Sequence, residues 1–116
     1  MKGSKYMSNI ILLVVDVQNT LINAHPYNEQ GVIENIKKLI FTARDNKKEV
    51  LYVRHDGGKG TELENGTYGW QIYDKISPNS DELIFEKQYN SAFHKTDLKE
   101  YLDSKNIDTI ILVGLQ

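Results

Sequence analysis

The sequence predicts an α/β protein in which parallel strands form one sheet and helices cover its faces. Residues 10–15 and residues 109–113 are short, almost wholly apolar runs rich in Ile and Val, which is typical of parallel strands buried on both faces. These runs alternate with helical segments in the order strand, helix, strand, loop, strand, helix, strand. Such alternation favours right-handed crossovers between parallel strands.

The composition is that of a single soluble domain spanning residues 1–116. The chain has 116 residues, of which 40% are hydrophobic and 26% charged, enough for one hydrophobic core. A net charge of -2 without a basic patch predicts no nucleic-acid partner. No apolar run can cross a bilayer and no signal-peptide cleavage pattern is present, so we expect a cytoplasmic protein without a membrane partner. Because Met7-Ser8 resembles a native start, we interpret residues 1–6 as an artificial extension.

The first part of the chain predicts a strand, a turn and a helix. The strand covers residues 9–15 and is followed directly by Asp16. A turn segment over residues 20–30 contains Pro26, which disfavours helix at the residue before it. The helix after the turn is predicted by apolar residues at three- and four-residue spacing, namely Val32, Ile33, Ile36, Leu39, Ile40 and Ala43.

A second strand and a glycine-rich loop occupy the middle of the chain. Residues 50–53 are apolar and are followed by Arg54-His55-Asp56. The fragment Gly58-Lys59-Gly60-Thr61 does not have the spacing of a phosphate-binding loop, so we interpret it as a flexible loop that can cover a site. For Trp70, in the aromatic segment that follows, packing on the sheet and a place in a pocket wall are equally good interpretations.

The last part of the chain predicts a third strand, a second helix and the fourth strand. Residues 82–85 form the third strand, with Glu86-Lys87 at its carboxyl end. Asp97, with Glu100 three residues later, predicts a capping box at the start of the helix. Asn106 is suited to end this helix in a left-handed conformation.

Polar residues follow three of the four predicted strands. Asp16, the trio Arg54-His55-Asp56 and Lys87 should share the sheet edge at which α/β proteins bind ligands. A carboxylate and an ammonium facing each other there can move protons to and from a nucleophile. From spacing alone, a buried salt bridge without a catalytic role, or two solvated side chains, is the better explanation. No metal site is predicted, because no second His lies near His55 at ligand spacing.

Three segments of the chain contain recognisable motifs. Residues 12–19 are Leu-Leu-Val-Val-Asp-Val-Gln-Asn, residues 87–93 are Lys-Gln-Tyr-Asn-Ser-Ala-Phe, and residues 111–116 are Ile-Leu-Val-Gly-Leu-Gln. In this order they resemble the opening motif, the Lys-x-x-x-Ser-Ala-Phe segment and the strand before the third motif of the isochorismatase-like cysteine hydrolases, a superfamily that includes nicotinamidases, N-carbamoylsarcosine amidases and isochorismatases. The resemblance extends over essentially the whole chain from about residue 9 onward.

The resemblance implies a three-layer α/β/α fold with a mostly parallel, Rossmann-like sheet, and a catalytic Asp, Lys and Cys. By matching position, Asp16 is the expected general base that activates the thiol. Lys87 is expected to hold the Asp–Cys arrangement and to stabilise developing negative charge. A small polar amide or similar molecule is the expected substrate, and we expect no cofactor. The candidate substrate-binding residues are Gln18, Trp70, Tyr89 and Phe93, of which Phe93 is equally a candidate for the core.

The chain departs from the family's pattern in two respects. It contains no cysteine, whereas the nucleophilic Cys of the family comes a few residues after the fourth strand. We therefore expect these 116 residues to be part of a longer protein, with the Cys and the C-terminal strands beyond residue 116. The order Arg54-His55-Asp56 also differs from the Asp-x-His metal site of nicotinamidases. This favours a metal-free amidase or isochorismatase-like hydrolase.

Other interpretations stay open at this point. The chain alone can be a catalytically inactive fragment or an interaction module that buries its apolar fourth strand against another copy or another protein; we expect a homo-oligomer. The full-length protein can also be an isochorismatase-type hydrolase that does not use a Cys. A Rossmann-type nucleotide binder is disfavoured, because no Gly-x-Gly-x-x-Gly follows the first strand.

Overall fold

The computed structural model describes residues 9–23, 29–88 and 97–115. The elements in these ranges are β1 (Ile10–Val15), α1 (Asn19–Asn23), α2 (Glu29–Asp45), β2 (Glu49–His55), a 3-10 helix (Asp74–Ile76), β3 (Ile84–Lys87), α3 (Leu98–Ser104) and β4 (Thr109–Gly114). Across these ranges, no helix has the length and apolar character needed to cross a membrane.

The strands form one sheet in the order β3-β2-β1-β4, and every neighbouring pair is parallel. β1 lies inside the sheet, where Val14 is in register with Tyr52 of β2 and with Val113 of β4. The all-parallel sheet predicted from the apolar runs is confirmed. Because the strands run in one direction, their carboxyl ends share one edge, and the polar residues that follow them come together there.

The hydrophobic core lies on both faces of the sheet, because successive side chains of a strand point to opposite faces. On one face, Leu12, Val14 and Tyr52 pack with α2 and the 3-10 helix. On the other face, Leu13 and Leu51 pack with α3. Both leucines are 0% exposed, and full burial of such a side chain contributes about 1.5–3 kcal/mol. The layers of helix, sheet and helix confirm the predicted architecture.

β4 forms one edge of the sheet and keeps much of its apolar surface exposed. Ile110, Ile111 and Leu112 are 38%, 41% and 63% exposed. Since neighbouring residues of a strand point to opposite faces, both faces of β4 are open to solvent. Within the described ranges, the sheet therefore ends on an apolar strand of the kind that is usual in a sheet interior.

The predicted start of β3 is wrong by two residues. The strand was expected over residues 82–85, but it covers Ile84–Lys87, so that Lys87 is its last residue. The difference arises because Glu82 stays outside the ladder and binds Arg44, whose Nε and Nη2 lie 3.0 and 2.7 Å from the carboxylate oxygens.

The Arg44–Glu82 pair fixes the segment before β3 to the end of α2. Arg44 Nη2 also donates to the carbonyl oxygen of Ser77 at 3.2 Å. Burial raises the pKa of Glu82, but hydrogen bonds from Arg44 and from the N–H of Asn79 outweigh this effect and hold the pKa below its ordinary value. Burial also raises the pKa of Tyr52 to about 12, and its hydroxyl donates to the carbonyl oxygen of Ile76 at 2.7 Å.

Two further local predictions are corrected. The segment over residues 20–30 was expected to be a turn, but α1 extends to Asn23 and α2 begins at Glu29. Asp97 precedes α3 without a side-chain capping hydrogen bond, because its φ of -83° and ψ of 1° lie outside the extended region that an N-cap residue usually adopts. Asn106 has a φ of 54°, which confirms the predicted left-handed conformation after α3.

Candidate active site

Asp16 marks the point at which β1 leaves the sheet. Its N–H still donates to the carbonyl oxygen of Val53 at 3.0 Å, but its φ is 61°. A residue with a Cβ in the left-handed region costs on the order of 1 kcal/mol or more, and such residues cluster at functional sites. The side chain is nevertheless held inside the protein, since Asp16 is only 7% exposed.

Lys87 reaches Asp16 across the end of β2. The Nζ atom of Lys87 lies 3.1 Å from Oδ2 of Asp16, and the two side chains are 5% and 10% exposed. β2 lies between β1 and β3, and strands are spaced by about 4.8 Å, so the Lys side chain must extend over the end of one strand. The expected proximity of the two residues is therefore observed. The second carboxylate oxygen, Oδ1, is buried and has no hydrogen-bond partner among the described residues.

Gln18 is completely buried beside this pair. Its Nε2 donates to the carbonyl oxygens of His55 and Trp70 at 2.9 and 2.7 Å. Its Oε1 accepts a hydrogen bond from the N–H of His55 at 3.0 Å. Contact between Gln18 and a substrate stays a prediction, because its hydrogen bonds in the described structure are with backbone groups.

The glycine-rich loop after β2 is tied to the start of α1. Asn19 Nδ2 donates to the carbonyl oxygen of Tyr68 at 2.9 Å, and the N–H of Thr20 donates to the carbonyl oxygen of Gly69 at 3.1 Å. A Cβ at Gly69 would lie 1.9 Å from Oγ1 of Thr20 and 2.4 Å from the carbonyl oxygen of Glu62. Glycine is therefore needed at this position for the loop to lie against α1, close to Asp16.

Trp70 belongs to a cluster that the sequence did not predict. Its Nε1 donates to Glu86 Oε1 at 3.1 Å, and the guanidinium carbon of Arg54 lies 3.6 Å from its ring centroid. Arg54 Nε donates to Glu86 Oε2 at 2.7 Å, and these two residues are register partners on β2 and β3. The signal in the sequence was a pair of opposite charges near two strand ends, but their pairing depends on the register. A role of Trp70 in substrate binding stays a prediction.

The structure gives less information on the other candidate residues. Tyr89 and Phe93 lie outside the described residues. His55 is partly exposed, and its Nδ1 is buried without a hydrogen-bond partner in the described part of the chain. No group of three or more His, Cys, Asp or Glu side chains in residues 9–23, 29–88 and 97–115 could hold a metal ion.

A protein-family model matches nearly the whole chain. The model of the isochorismatase domain matches residues 10–116. The chain belongs to the isochorismatase family. This agrees with the resemblance of the three sequence motifs and with the parallel sheet that brings Asp16 and Lys87 together.

The relatives of the chain include a family member from Bacillus subtilis and a protein named as an amidase. The chain is 31% identical over 108 residues to the isochorismatase family protein YrdC of Bacillus subtilis, covering 90% of this chain and 57% of that protein. It is 28% identical over 131 residues to an N-carbamoylsarcosine amidase of Arthrobacter, covering 94% of this chain and 50% of that protein. The chain thus spans about half the length of these relatives.

Solved structures show the same fold. A cysteine hydrolase from Pseudomonas syringae superposes with a TM-score of 0.80 at 26% identity, covering 93% of this chain and 60% of that chain. An isochorismatase from Pseudomonas putida superposes with a TM-score of 0.85 at 24% identity, covering 99% and 62%. The second likeness shows the fold alone.

Proposed function

We propose that the full-length protein is a small-molecule hydrolase that cleaves an amide-type C–N bond through a Cys nucleophile beyond residue 116. The observation that carries this proposal is the buried Asp16–Lys87 pair at the carboxyl edge of the sheet. One carboxylate oxygen is bound to Lys87 at 3.1 Å and the other has no partner in the described structure. The named amidase and hydrolase relatives support the same reaction class.

The pair is suited to divide two tasks between its members. Oδ1 of Asp16 is the available acceptor and takes the proton of the thiol as the sulfur attacks the substrate carbonyl carbon. Lys87 holds the carboxylate through Oδ2, and its positive charge stabilises the negative charge that develops on the substrate oxygen. The proton on Asp16 then passes to the leaving nitrogen as the C–N bond breaks.

Water completes the cycle. Asp16 accepts a proton from a water molecule that attacks the thioester, and the C–S bond breaks as the carboxylic acid forms. The proton returns to the sulfur, so that one amide and one water give one carboxylic acid (a carbamic acid when the substrate is a ureido compound) and one amine or ammonia. Each proton transfer uses the same oxygen of Asp16, which explains why a single unpartnered carboxylate oxygen suffices.

The proposed substrate is a small polar amide or ureido compound. Among the relatives, one is named N-carbamoylsarcosine amidase and others are named ureidoacrylate amidohydrolase. Both names describe compounds in which a carbonyl carbon is bound to nitrogen. The residues proposed to contact the substrate are Trp70, Tyr89 and Phe93, whereas Gln18, the fourth residue predicted from the sequence, is completely buried.

Ammonia release by the full-length protein tests this proposal. N-carbamoylsarcosine and ureidoacrylate are the first compounds to assay, followed by a set of small primary amides. Asp16→Asn and Lys87→Ala should each lower kcat by at least about 100-fold, whereas the exposed control variants Asp45→Asn and Lys38→Ala should keep it. Turnover retained in Asp16→Asn or in Lys87→Ala would show that these residues are not the catalytic pair.

The exposed β4 favours a second candidate function. Leu112 is 63% exposed on the edge strand, so a non-catalytic module that pairs its β4 with another copy of the chain would bury this surface. Light scattering on the 116-residue chain tests this alternative. A dimer that is lost on Leu112→Lys would support it, and a soluble monomer would exclude it.

A further inference from the structure

β2 extends beyond the point at which β1 leaves their common ladder. Val15 is in register with Val53, and the backbone pairing of the two strands ends with the hydrogen bond from the N–H of Asp16 to the carbonyl oxygen of Val53. β2 continues to His55. In a regular parallel ladder the next hydrogen bonds would join His55 to the backbone of a continued β1. The N–H of His55 would need a carbonyl oxygen from β1, and its C=O would need an N–H from β1.

The side-chain amide of Gln18 supplies both of these groups. Its Oε1 accepts from the N–H of His55 at 3.0 Å, and its Nε2 donates to the carbonyl oxygen of His55 at 2.9 Å. The second N–H of Nε2 binds the carbonyl oxygen of Trp70 at 2.7 Å. A primary amide has the donor and the acceptor of a peptide group, and Gln18 is 0% exposed, so the side chain takes the place of a buried strand residue.

The direction of the Asp16 side chain depends on whether β1 continues past residue 15. Leu12 and Val14 face the α2 side of the sheet, so a continued β1 would direct residue 16 to that side as well. Phe85 faces the α3 side, and Lys87, two residues later, shares its direction. A continued β1 would therefore separate Asp16 from Lys87. The left-handed turn at Asp16, with its φ of 61°, brings the carboxylate to Lys87 instead.

We propose that Gln18 is a positioning residue, whose amide replaces the β1 backbone at His55 and thereby lets Asp16 leave the strand and reach Lys87. Without that amide, the N–H and C=O of His55 would lose these two hydrogen bonds, which would destabilise the present path of the chain. Continuation of β1 along β2 would then be favoured over the turn at Asp16. The effect on catalysis rests on the proposed hydrolase function, but the effect on the Asp16–Lys87 distance does not.

The test uses two variants of the full-length protein. Gln18→Met keeps the length of the side chain and removes its hydrogen bonds. Gln18→Glu keeps the acceptor for the N–H of His55, but its ionised form presents no donor to the two carbonyl oxygens. Asn19→Leu is the matched control, since it removes a neighbouring buried amide that binds Tyr68 and not His55.

The first readout is the crystal structure of each variant, which is independent of activity. In Gln18→Met the Nζ–Oδ2 separation should exceed about 4 Å, the limit of an ion pair, while Asn19→Leu should keep the pair together. An unchanged separation in Gln18→Met would overturn the proposal. If Gln18→Met does not fold, Gln18→Glu at neutral pH replaces it in this comparison, with the same two outcomes.

The second readout is the kinetics of amide hydrolysis. Misplacement of Asp16 by about 1 Å should lower kcat on the order of 100-fold with little change in KM. The activity of Gln18→Glu relative to the wild type should rise as the pH is lowered, because a protonated carboxyl group regains a donor. An increase in KM alone would assign Gln18 to substrate contact and overturn the positioning role. A wild type that hydrolyses no amide would refute the proposed function, while the crystallographic distances would still decide the role of Gln18.

Discussion

The buried Asp16–Lys87 pair should be coupled far more strongly than an exposed ion pair of equal length. Its Nζ–Oδ2 distance is 3.1 Å, with side chains 5% and 10% exposed. At an effective dielectric constant near 20, two unit charges at this separation attract by about 5 kcal/mol. Lys99 and Asp103 are 3.0 Å apart but 71% and 70% exposed, and exposed pairs of this kind contribute about 0.3–0.5 kcal/mol. The two pairs match in distance and differ in burial.

Double-mutant cycles in the full-length protein measure both couplings by urea unfolding. Asp16→Asn and Lys87→Met each remove this ion-pair contact from the other, buried charge, which should cost about 3–5 kcal/mol. The double variant should recover much of this loss, giving a coupling energy of about 3 kcal/mol. The cycle on Lys99 and Asp103 should give about 0.5 kcal/mol or less. Equal couplings for the two pairs, or a value below about 1 kcal/mol for the buried pair, would show that burial does not strengthen the Asp16–Lys87 interaction.

Two further predictions concern stability. Gly114→Ala places a Cβ 1.9 Å from the carbonyl oxygen of Val15, so β4 must move from β1 and thermal unfolding should show a loss of about 1–3 kcal/mol. In the control Gly66→Ala the added Cβ meets no atom within 4 Å. The free energy of unfolding should fall by only about 1 kcal/mol, because a residue with a Cβ is strained at this positive φ. A loss as large as that of Gly114→Ala would contradict the steric explanation. Burial raises the pKa of Glu82, but its hydrogen bonds with Arg44 and Asn79 lower it by more, so the pKa in the folded protein lies below the ordinary value. The stability that ionised Glu82 contributes is therefore fully present above the ordinary carboxyl pKa. It is lost as the pH falls through the lower pKa of the folded protein. Urea unfolding from about pH 6 to about pH 3 should show a larger loss for the wild type than for Glu82→Gln, and parallel curves would contradict this account.

The fold was predictable because its strands are simple in composition. Apolar runs in β1 and β4 predict burial on both faces, and their alternation with helices predicts the parallel sheet. Asp16 directly follows β1, and Lys87 was placed at the carboxyl end of the predicted third strand, which was enough to expect both residues at one edge of the sheet. The start of β3 was not predictable in the same way, because Glu82 is removed from the strand by its contact with Arg44, a residue 38 positions away in the chain.

The surroundings of the candidate site depend on contacts that sequence spacing does not reveal. Gln18 was expected to contact a substrate, but nothing in its neighbours indicates that its amide pairs with the backbone of His55. The pairing of Arg54 with Glu86 depends on the register of β2 and β3, which sequence spacing does not give. In each case a side chain acts on a distant segment, and the three-dimensional path of the backbone decides which segment that is.

Intact-protein mass spectrometry of the full-length protein, acid-quenched during turnover of a small amide, is the most direct test of the Cys-dependent mechanism. The covalent mechanism predicts an acyl adduct on a cysteine beyond residue 116 in the wild type and in the exposed control Asp45→Asn. The adduct should be absent in Asp16→Asn, because the thiol then has no base to accept its proton. Turnover without an adduct would contradict the covalent mechanism, and an undiminished adduct in Asp16→Asn would contradict the role of Asp16.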